Sequence, residues 1–405
     1  MYTSGALRAM MRHYGVEEAS LETADAIWFS CCDPDGVADL VKVRKVAGER
    51  PLIMGGFEGY AGVPYLAWAD AVVVGEGTAF IRAGGTDPRA AMELPCVLTM
   101  ERFENGETIE PCCEVPYSIM PIVKVLGRNR FYYLSGRGCR GKCRFCMTSW
   151  TQPNTNCPEA KILTVLRYVE KQRGKLTLIT NDSFHVKRSR VVNAQSVRVV
   201  DFLKEPERYK SSILHFGIEF WDEGSRARSG KPIPDDHIRD LLKVTAEQRQ
   251  QCELFFIVGA PGDDHVTRWT LDSVRNFAER VIPVSAEKSP RVHVKLTYLD
   301  PCPHTPMSGD KVDPEYCPPR EVFKIFNGKN KRFRVFPTRS AGRSAWRTVF
   351  HRCTPGEAIR LGPEPKGTNR PDAFEKFREH LAAVGLEHKL EGRGVNEDVI
   401  KVRIR

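Results

Sequence analysis

Gly136-Arg137-Gly138-Cys139-Arg140-Gly141-Lys142-Cys143-Arg144-Phe145-Cys146 is the stretch on which the fold assignment turns. Its three cysteines stand at Cys-x3-Cys-x2-Cys spacing in a loop of glycines and cations. Cysteine thiolates are the usual ligands of iron–sulfur clusters. Three of them on so short a loop can hold three irons of a 4Fe–4S cubane and leave the fourth iron open. Arg137, Arg140, Lys142 and Arg144 are expected to lower the thiol pKa values and to offset the cluster's negative charge. Gly136, Gly138 and Gly141 let the backbone curl and turn N–H groups towards sulfur. Phe145 is expected to shield one side from water. A zinc site normally asks for a fourth Cys or His at similar spacing, and the nearest candidate, Cys157, lies eleven residues on.

Around this loop the chain alternates between strand and helix. Phe131 to Ser135 reads as a strand with the cysteine loop at its C-terminal end, where α/β barrels carry their chemistry. Pro158 to Gln172 reads as a helix and Leu176 to Ser183 as the next strand. After a long polar segment, Val186 to Lys210, further strands are expected at Ile213–Phe220, Glu253–Gly262 and Val292–Leu299. This order predicts a parallel α/β sheet.

The cysteine motif, with Gly217-Ile218-Glu219, the later Gly230-Lys231 and the Pro-rich Asp300 to Met307, resembles the radical S-adenosylmethionine (radical SAM) family. The resemblance implies a partial (βα)6 barrel over residues 121–308. It also implies a cluster on Cys139, Cys143 and Cys146 whose open iron binds the amino and carboxyl groups of S-adenosylmethionine. In that family one-electron transfer cleaves the sulfonium to methionine and a 5′-deoxyadenosyl radical, so an external electron donor is implied too. Carried onto this chain, the family pattern puts Asp182 near the cofactor's ammonium, Glu219 and Arg226 near its ribose and carboxylate, and Gly259 against its adenine. Read by themselves, Asp182 serves equally as a helix N-cap and Arg226 equally as a rim ion pair. A Glu buried in an apolar strand, as Glu219 is expected to be, needs a partner. No residue is assigned a catalytic role beyond these.

Residues 1–120 read as a Rossmann-like unit. Helices are expected at Ala6–Tyr14, Gly36–Val46 and Val63–Trp68, and strands at Ala24–Ser30, Pro51–Met54 and Asp70–Val74. Gly55-Gly56 and Gly75-Glu76-Gly77 then fall at strand C-terminal ends, where open α/β sheets bind ligands. The pair resembles the cobalamin-binding domain that precedes many radical SAM cores. That family's Asp-x-His-x-x-Gly loop is absent, and the chain opens at the first helix. The reading therefore favours a shortened domain, kept as packing and substrate wall, over a cobalamin site. Glu101 to Pro121 is expected to be a linker with a hairpin at Asn105-Gly106.

The chain of 405 residues has 13 cysteines and no signal-peptide core at its start, which predicts a reducing, cytoplasmic setting. No run of about 18 apolar residues predicts a membrane span. The adjacent pairs Cys31-Cys32 and Cys112-Cys113 do not easily ligate one metal together. The spacing of Cys302, Cys317 and Cys353 is too irregular for a second cluster to be favoured. The net charge is +10, and residues 309–405 hold nearly all of it: Lys311 to Arg405 carries 21 Lys and Arg against 12 Asp and Glu. There Lys324, Lys329, Arg334, Arg343 and Arg347 interleave with Phe323, Phe326, Phe333, Phe336, Trp346 and Phe350. Cations neutralise phosphates and aromatic faces stack on bases, so a DNA or nucleotide partner is expected, although such aromatics also form small cores. Some radical SAM enzymes of DNA phages rearrange an amino-acid substituent on thymine. The resemblance therefore leads first to an isomerase acting on a hypermodified thymine in DNA. The alternative is a cobalamin-dependent radical SAM methyltransferase acting on a small molecule or peptide.

Overall fold

The computed structural model describes residues 2–31, 33–84, 87–125, 128–180, 192–209, 213–258, 270–282, 291–311, 319–329, 332–337, 341–365, 373–392 and 401–402. The front of the chain forms a four-stranded sheet of β1 (Ile27–Ser30), β2 (Leu52–Gly55), β3 (Ala71–Val73) and β4 (Val97–Thr99), in that order. β1, β2 and β3 are parallel, with Ile27 opposite Leu52 and Ile53 opposite Ala71, and β4 runs antiparallel on β3. Leu52, Ile53 and Met54 are all buried, as expected of a parallel strand covered on both faces. The helix Val37–Ala47 joins β1 to β2 and ends where Gly48 adopts a positive φ of 61°, a conformation that favours glycine.

The hairpin expected at Asn105-Gly106 is replaced by a different pairing. A short helix, Met100–Glu104, leads into β5 (Thr108–Ile109), which pairs in parallel with β16 (Lys401–Val402) from the chain's far end.

The core sheet has eight strands. These are β6 (Val123–Lys124), β7 (Arg130–Leu134), β10 (Lys175–Ile179), β11 (Val192–Ser196), β12 (Ile213–Glu219), β13 (Gln251–Val258), β14 (Val292–Tyr298) and β15 (Phe333–Pro337). Its order is β15-β14-β13-β12-β11-β10-β7-β6, parallel from β7 to β15 with β6 antiparallel at the edge. Two short strands, β8 (Gly136–Arg137) and β9 (Thr155–Asn156), pair beside the cysteine loop. The α/β class and the parallel core are as the sequence predicts. β11 lies inside the stretch read as a polar segment, because its hydrogen bonds to both neighbours supply what its composition lacks. β15 adds a seventh parallel strand from beyond residue 308. Burial alternates along β12 and β14: Leu214, Phe216, Ile218, Val292, Val294 and Leu296 pack on the helices, and His215, Gly217, Glu219, His293 and Lys295 occupy the opposite face.

The last third of the chain covers the front sheet. Ala345, Trp346, Val349 and Phe350, on the helix Ala341–His351, share one apolar core with Leu52, Met54, Tyr65 and Val72. Trp346 stacks on Phe350 at 5.1 Å, and Phe350 meets the Tyr65 ring edge-on at 5.0 Å. A buried polar knot ties this helix to both sheets. Glu58, 1% exposed, accepts hydrogen bonds from Tyr65 Oη (3.0 Å) and His351 Nε2 (2.8 Å). Arg347 lies 2.6 Å from Asp33 and 3.0 Å from Asp300, just past the end of β14. Buried charges persist when they are paired in this way.

Candidate functional site

The cysteine loop leaves β8 and is pinned from three directions. Gly138 has φ of 66°, and a Cβ there would strike the Pro153 carbonyl. Arg144 N–H donates to Ser229 O at 2.9 Å, and the Trp150 indole N–H donates to Cys143 O at 2.8 Å. Gly230, at φ of 78°, packs directly on the Lys142 carbonyl with no room for a Cβ. Cys139 accepts the Gly141 N–H at 3.3 Å, and a Cβ on Gly141 would stand 3.4 and 3.6 Å from the Cys139 and Cys143 sulfurs. Phe145 closes the apolar side against Phe220, Ile257, Leu299 and Met307.

Burial pushes the Cys143 thiol up to about 11; Lys231 pulls it down, while Glu219, Cys146 and Cys139 push it further up. The three thiols therefore feel one another. At Cys143 the cation with the largest effect is not one of the loop's own. Arg140, Lys142 and Arg144 are exposed on the outer side, and Arg137 turns away to Glu76 at 2.6 Å. The largest cationic effect on Cys143 comes from Lys231, in the turn after the helix Glu223–Arg228 that follows β12. Among the described residues no Cys, His, Asp and Glu group gathers tightly enough for a single metal ion. A cubane asks for spread thiolates on separate irons, and the donor set Cys139, Cys143 and Cys146, with the Gly141 amide turned to the Cys139 sulfur, fits one.

Beside this loop lies a cavity of about 460 Å³, walled by Cys139 and Cys143, by Ser196 at the end of β11 and Arg198 just past it, and by Phe255 to Ile257 on β13. Glu219 and Lys231 also face it. β12 bulges here, so that Ile218 and Glu219 together oppose Phe256, and Glu219 takes φ of 75°. A left-handed non-glycine residue is a costly conformation that persists when its surroundings hold it. The Lys231 ammonium does so, at 2.6 Å from Glu219 Oε1. Gly217 leaves the space: a Cβ there would run into both charged ends. Burial pulls the Lys231 ammonium down, but Glu219 and the neighbouring thiols hold it above its ordinary value.

Of the residues assigned by resemblance, Glu219 stands at the cavity with the partner its burial demands. Arg226 does not reach it. That side chain is wholly buried, and its three nitrogens donate to Ile233 O (2.6 Å), Phe220 O (2.9 Å) and Asp235. The guanidinium fastens the turn that presents Lys231, so the assignment to the cofactor's ribose or carboxylate is corrected. Asp182 and Gly259 lie outside the described residues. The sequence reading missed Lys231, Ser196, Arg198 and His215 as cavity residues. Lys231 carried a signal, standing after a glycine that must pack on the loop. His215 lies 3.5 Å from Glu253, which in turn lies 3.2 Å from His293.

A second cavity, of about 450 Å³, lies between the front sheet and the core. Its front wall is Trp28 and Phe29 on β1, Ile53 on β2, Phe57, Val73 and Phe80; the core adds Leu134, Arg137, Thr148 and Ile179. The front domain, expected to serve as packing and substrate wall with part of its pocket removed, borders a cavity whose remaining wall the core supplies. Gly56 and Gly75, at φ of 103° and 93°, are required by chain crossings at Cys31 and Cys112, since a Cβ would strike those backbones. Gly55 and Gly77 face the cavity.

Part of the basic, aromatic region expected to meet nucleic acid is internal, while Phe336, Arg332 and Arg334 are exposed. Trp346, Phe350, Phe326 and Phe333 are buried. Arg347 is paired as described above, Arg343 pairs with Asp35, and Lys324 pairs with Glu321 at 2.8 Å. The buried aromatics cannot stack on bases without unfolding the core they form.

No family model and no curated protein matches this sequence. Among solved structures, the radical S-adenosylmethionine methyltransferase TsrM from Kitasatospora setae, with tryptophan substrate and a SAM analog bound, aligns at a TM-score of 0.51 and 10% identity. The alignment covers 78% of this chain and 71% of that one. The chain has the fold of a radical SAM enzyme. The cobalamin-dependent S-adenosylmethionine radical enzyme OxsB, with aqua-cobalamin and S-adenosylmethionine bound, aligns at 0.49 and 13% identity over 80% of this chain and 48% of that one. No described helix is long and apolar enough to cross a membrane.

Proposed function

We propose that the chain is a cobalamin-dependent radical SAM enzyme that methylates a small organic substrate. The observation that carries this is the pairing of two cavities along one stretch of chain. Arg137 lines the apolar cavity at the front sheet's strand ends, and Cys139, two residues on, lines the polar cavity of the core. The fold shared with a methyltransferase supports the same reading.

When bound, the cluster supplies one-electron cleavage of S-adenosylmethionine and cobalamin supplies a carrier for the methyl group. Cys139, Cys143 and Cys146 hold the cluster. Glu219 accepts from the cofactor's ammonium or ribose hydroxyls, and Lys231 and Arg198 offer donors to its carboxylate. Phe255 to Ile257 give an apolar wall and exclude water. In the front cavity Trp28, Phe29, Ile53, Phe57 and Phe80 fit the flat, largely apolar face of a corrin ring. No described residue lining that cavity is a histidine. Anaerobic reconstitution with iron, sulfide and hydroxocobalamin tests the reading. One cobalamin per chain and transfer of labelled methyl from S-adenosylmethionine are expected; a protein that takes up the cluster and no cobalamin overturns it.

A further inference from the structure

One level of the core sheet carries a row of polar side chains in register across neighbouring strands: Ser196 (β11), His215 (β12), Glu253 (β13), His293 (β14) and Arg334 (β15). His215 and His293 stand on the face turned away from the helices, and Ser196 and His215 line the core cavity. Glu253 divides its carboxylate between them. Its Oε1 lies 3.2 Å from His293 Nδ1, 3.4 Å from Gln251 Nε2 and 3.8 Å from Lys295 Nζ. Its Oε2 faces His215 Nε2 at 3.5 Å. A carboxylate only accepts, so that nitrogen carries the imidazole's hydrogen and Nδ1 keeps the lone pair. Phe255 packs against the imidazole at 5.8 Å in T-shaped contact. Nδ1 has no hydrogen-bond partner among the described residues. His215 also precedes Glu219 by four residues, roughly 10–13 Å along a strand, so a head group held by Glu219 and Lys231 does not reach it. A base oriented by a carboxylate, beside a cavity and with its second nitrogen unused, is suited to take a proton.

Resting on the methyltransferase reading, we propose that His215 takes a proton from the substrate, and that this substrate is a weak O–H or N–H acid of the phenol or azole kind. Exchange of a hydrogen for the methyl group of a sulfonium releases one proton overall. The carbon–sulfur electron pair stays on sulfur, the pair of the O–H or N–H bond stays on the substrate, and the hydrogen leaves as a proton. A bond forms between that proton and His215 Nδ1, and Glu253 matches the imidazolium. No oxidant or reductant enters this step. Burial lowers the His215 pKa below its ordinary 6.5; Glu253 raises it and Lys295 lowers it further. The imidazole is therefore neutral, and able to accept, at pH 7. Arg198, His293, Glu219 and Lys231 are the other ionisable groups set around it among the described residues.

The test titrates the cluster-loaded chain anaerobically with 4-fluorophenol, and with 4-fluoroanisole, which has the same ring and no acidic hydrogen, and follows both by fluorine NMR. The parent is expected to bind the phenol roughly five- to tenfold more tightly than the ether, the worth of one hydrogen bond. That preference should hold from pH 8 to 7 and fade below 6.5, as His215 gains its own proton. His215→Leu should reduce it to less than about twofold with iron content unchanged. Glu253→Gln keeps the imidazole and removes the charge that raises its pKa, so the preference should weaken and its loss should move to lower pH. Phenol and ether bound alike by the parent, or an equal preference in all three proteins, would overturn the proposal, and the first of these needs no variant to fold. Displacement of 4-fluorophenol by S-adenosylmethionine would assign His215 to the cofactor and overturn it as well. None of these measurements needs cobalamin, so they fail separately from the methyltransferase reading. A chain that takes up no cobalamin would bring that reading down, and the role of His215 in methylation with it.

Discussion

The two cavities are nearly equal in size, about 450 and 460 Å³, and opposite in character. The core cavity is walled by groups that carry direction: thiols, the Glu219–Lys231 pair, Ser196, Arg198 and the edge of His215. The front cavity offers area, with aromatic and aliphatic side chains from three strand ends and one ion pair, Arg137–Glu76, set between the two sheets. Polar groups fixed in position select orientation, while broad apolar walls supply binding energy with little preference for angle. The core cavity therefore suits an ionic ligand held in one pose. The front cavity suits an apolar one. What joins them is the short run from Leu134 to Cys139, whose residues serve first one wall and then the other.

The sharpest way to separate the two is to destroy one and watch the other. Cys143→Ala should abolish cluster binding and bring 5′-deoxyadenosine formation below detection, while cobalamin uptake stays near one per chain. Iron analysis and the visible spectrum of bound corrin report both at once; loss of cobalamin as well would show the cavities to be one site. Gly77→Phe is the reciprocal change. A Cβ on Gly77 meets only Ile81 Cδ1 at 3.6 Å, so the backbone accepts a side chain, and the ring fills the front cavity. Cobalamin uptake should fall at least tenfold with iron content unchanged.

Smaller effects test the supports. Arg347→Met leaves Glu58, Asp33 and Asp300 facing one another without their shared cation. Removing one partner of buried ion pairs typically costs about 3–5 kcal/mol, and a denaturant midpoint measured on the intact chain should shift accordingly. Lys231→Met should weaken S-adenosylmethionine binding at least tenfold, since hydrogen bonds to charged groups contribute about 1.5–3 kcal/mol. The sign of its pH dependence follows from its raised pKa. What the Glu219–Lys231 pair contributes is complete below the ordinary lysine value of 10.5 and fades only as pH climbs through the raised one. Calorimetric titration from pH 7 to 10 should show flat affinity; a decline already complete by pH 9 would mean that Lys231 is not the group concerned.

The core was legible because its chemistry is contiguous: three cysteines within eight residues and glycines that must lie beside them. Lys231 and Glu219 could be found because each sits in a short motif of its own. Arg226 misled because a cation next to a motif looks available for a ligand, whereas here Ile233, Phe220 and Asp235 consume it. β11 escaped notice because its stabilisation comes from neighbours on both sides rather than from apolar side chains. The front cavity was hidden for a stronger reason. Part of its wall comes from residues more than a hundred positions downstream of Trp28, and no local pattern announces that Leu134 and Ile179 will face it. In the basic C-terminal region Arg343 and Arg347 pair with Asp33, Asp35 and Asp300, acids far away in sequence, which a charge count along the chain does not show.

Arg198 gives the finest discrimination. It lines the core cavity from the turn after β11, is exposed, and stands across from the Glu219–Lys231 pair on a neighbouring strand. If the core cavity takes an ionic ligand with a carboxylate, Arg198 adds a second donor at its open side, where water screens it. Arg198→Gln should therefore raise the dissociation constant of S-adenosylmethionine only about two- to fivefold, and the loss should shrink as salt is added. The same substitution should leave cobalamin uptake untouched, because Arg198 does not line the front cavity. Equal losses for Arg198→Gln and Lys231→Met would mean that the cavity binds its ligand by total charge rather than by placed groups, and the contrast between the two cavities would narrow to polarity alone.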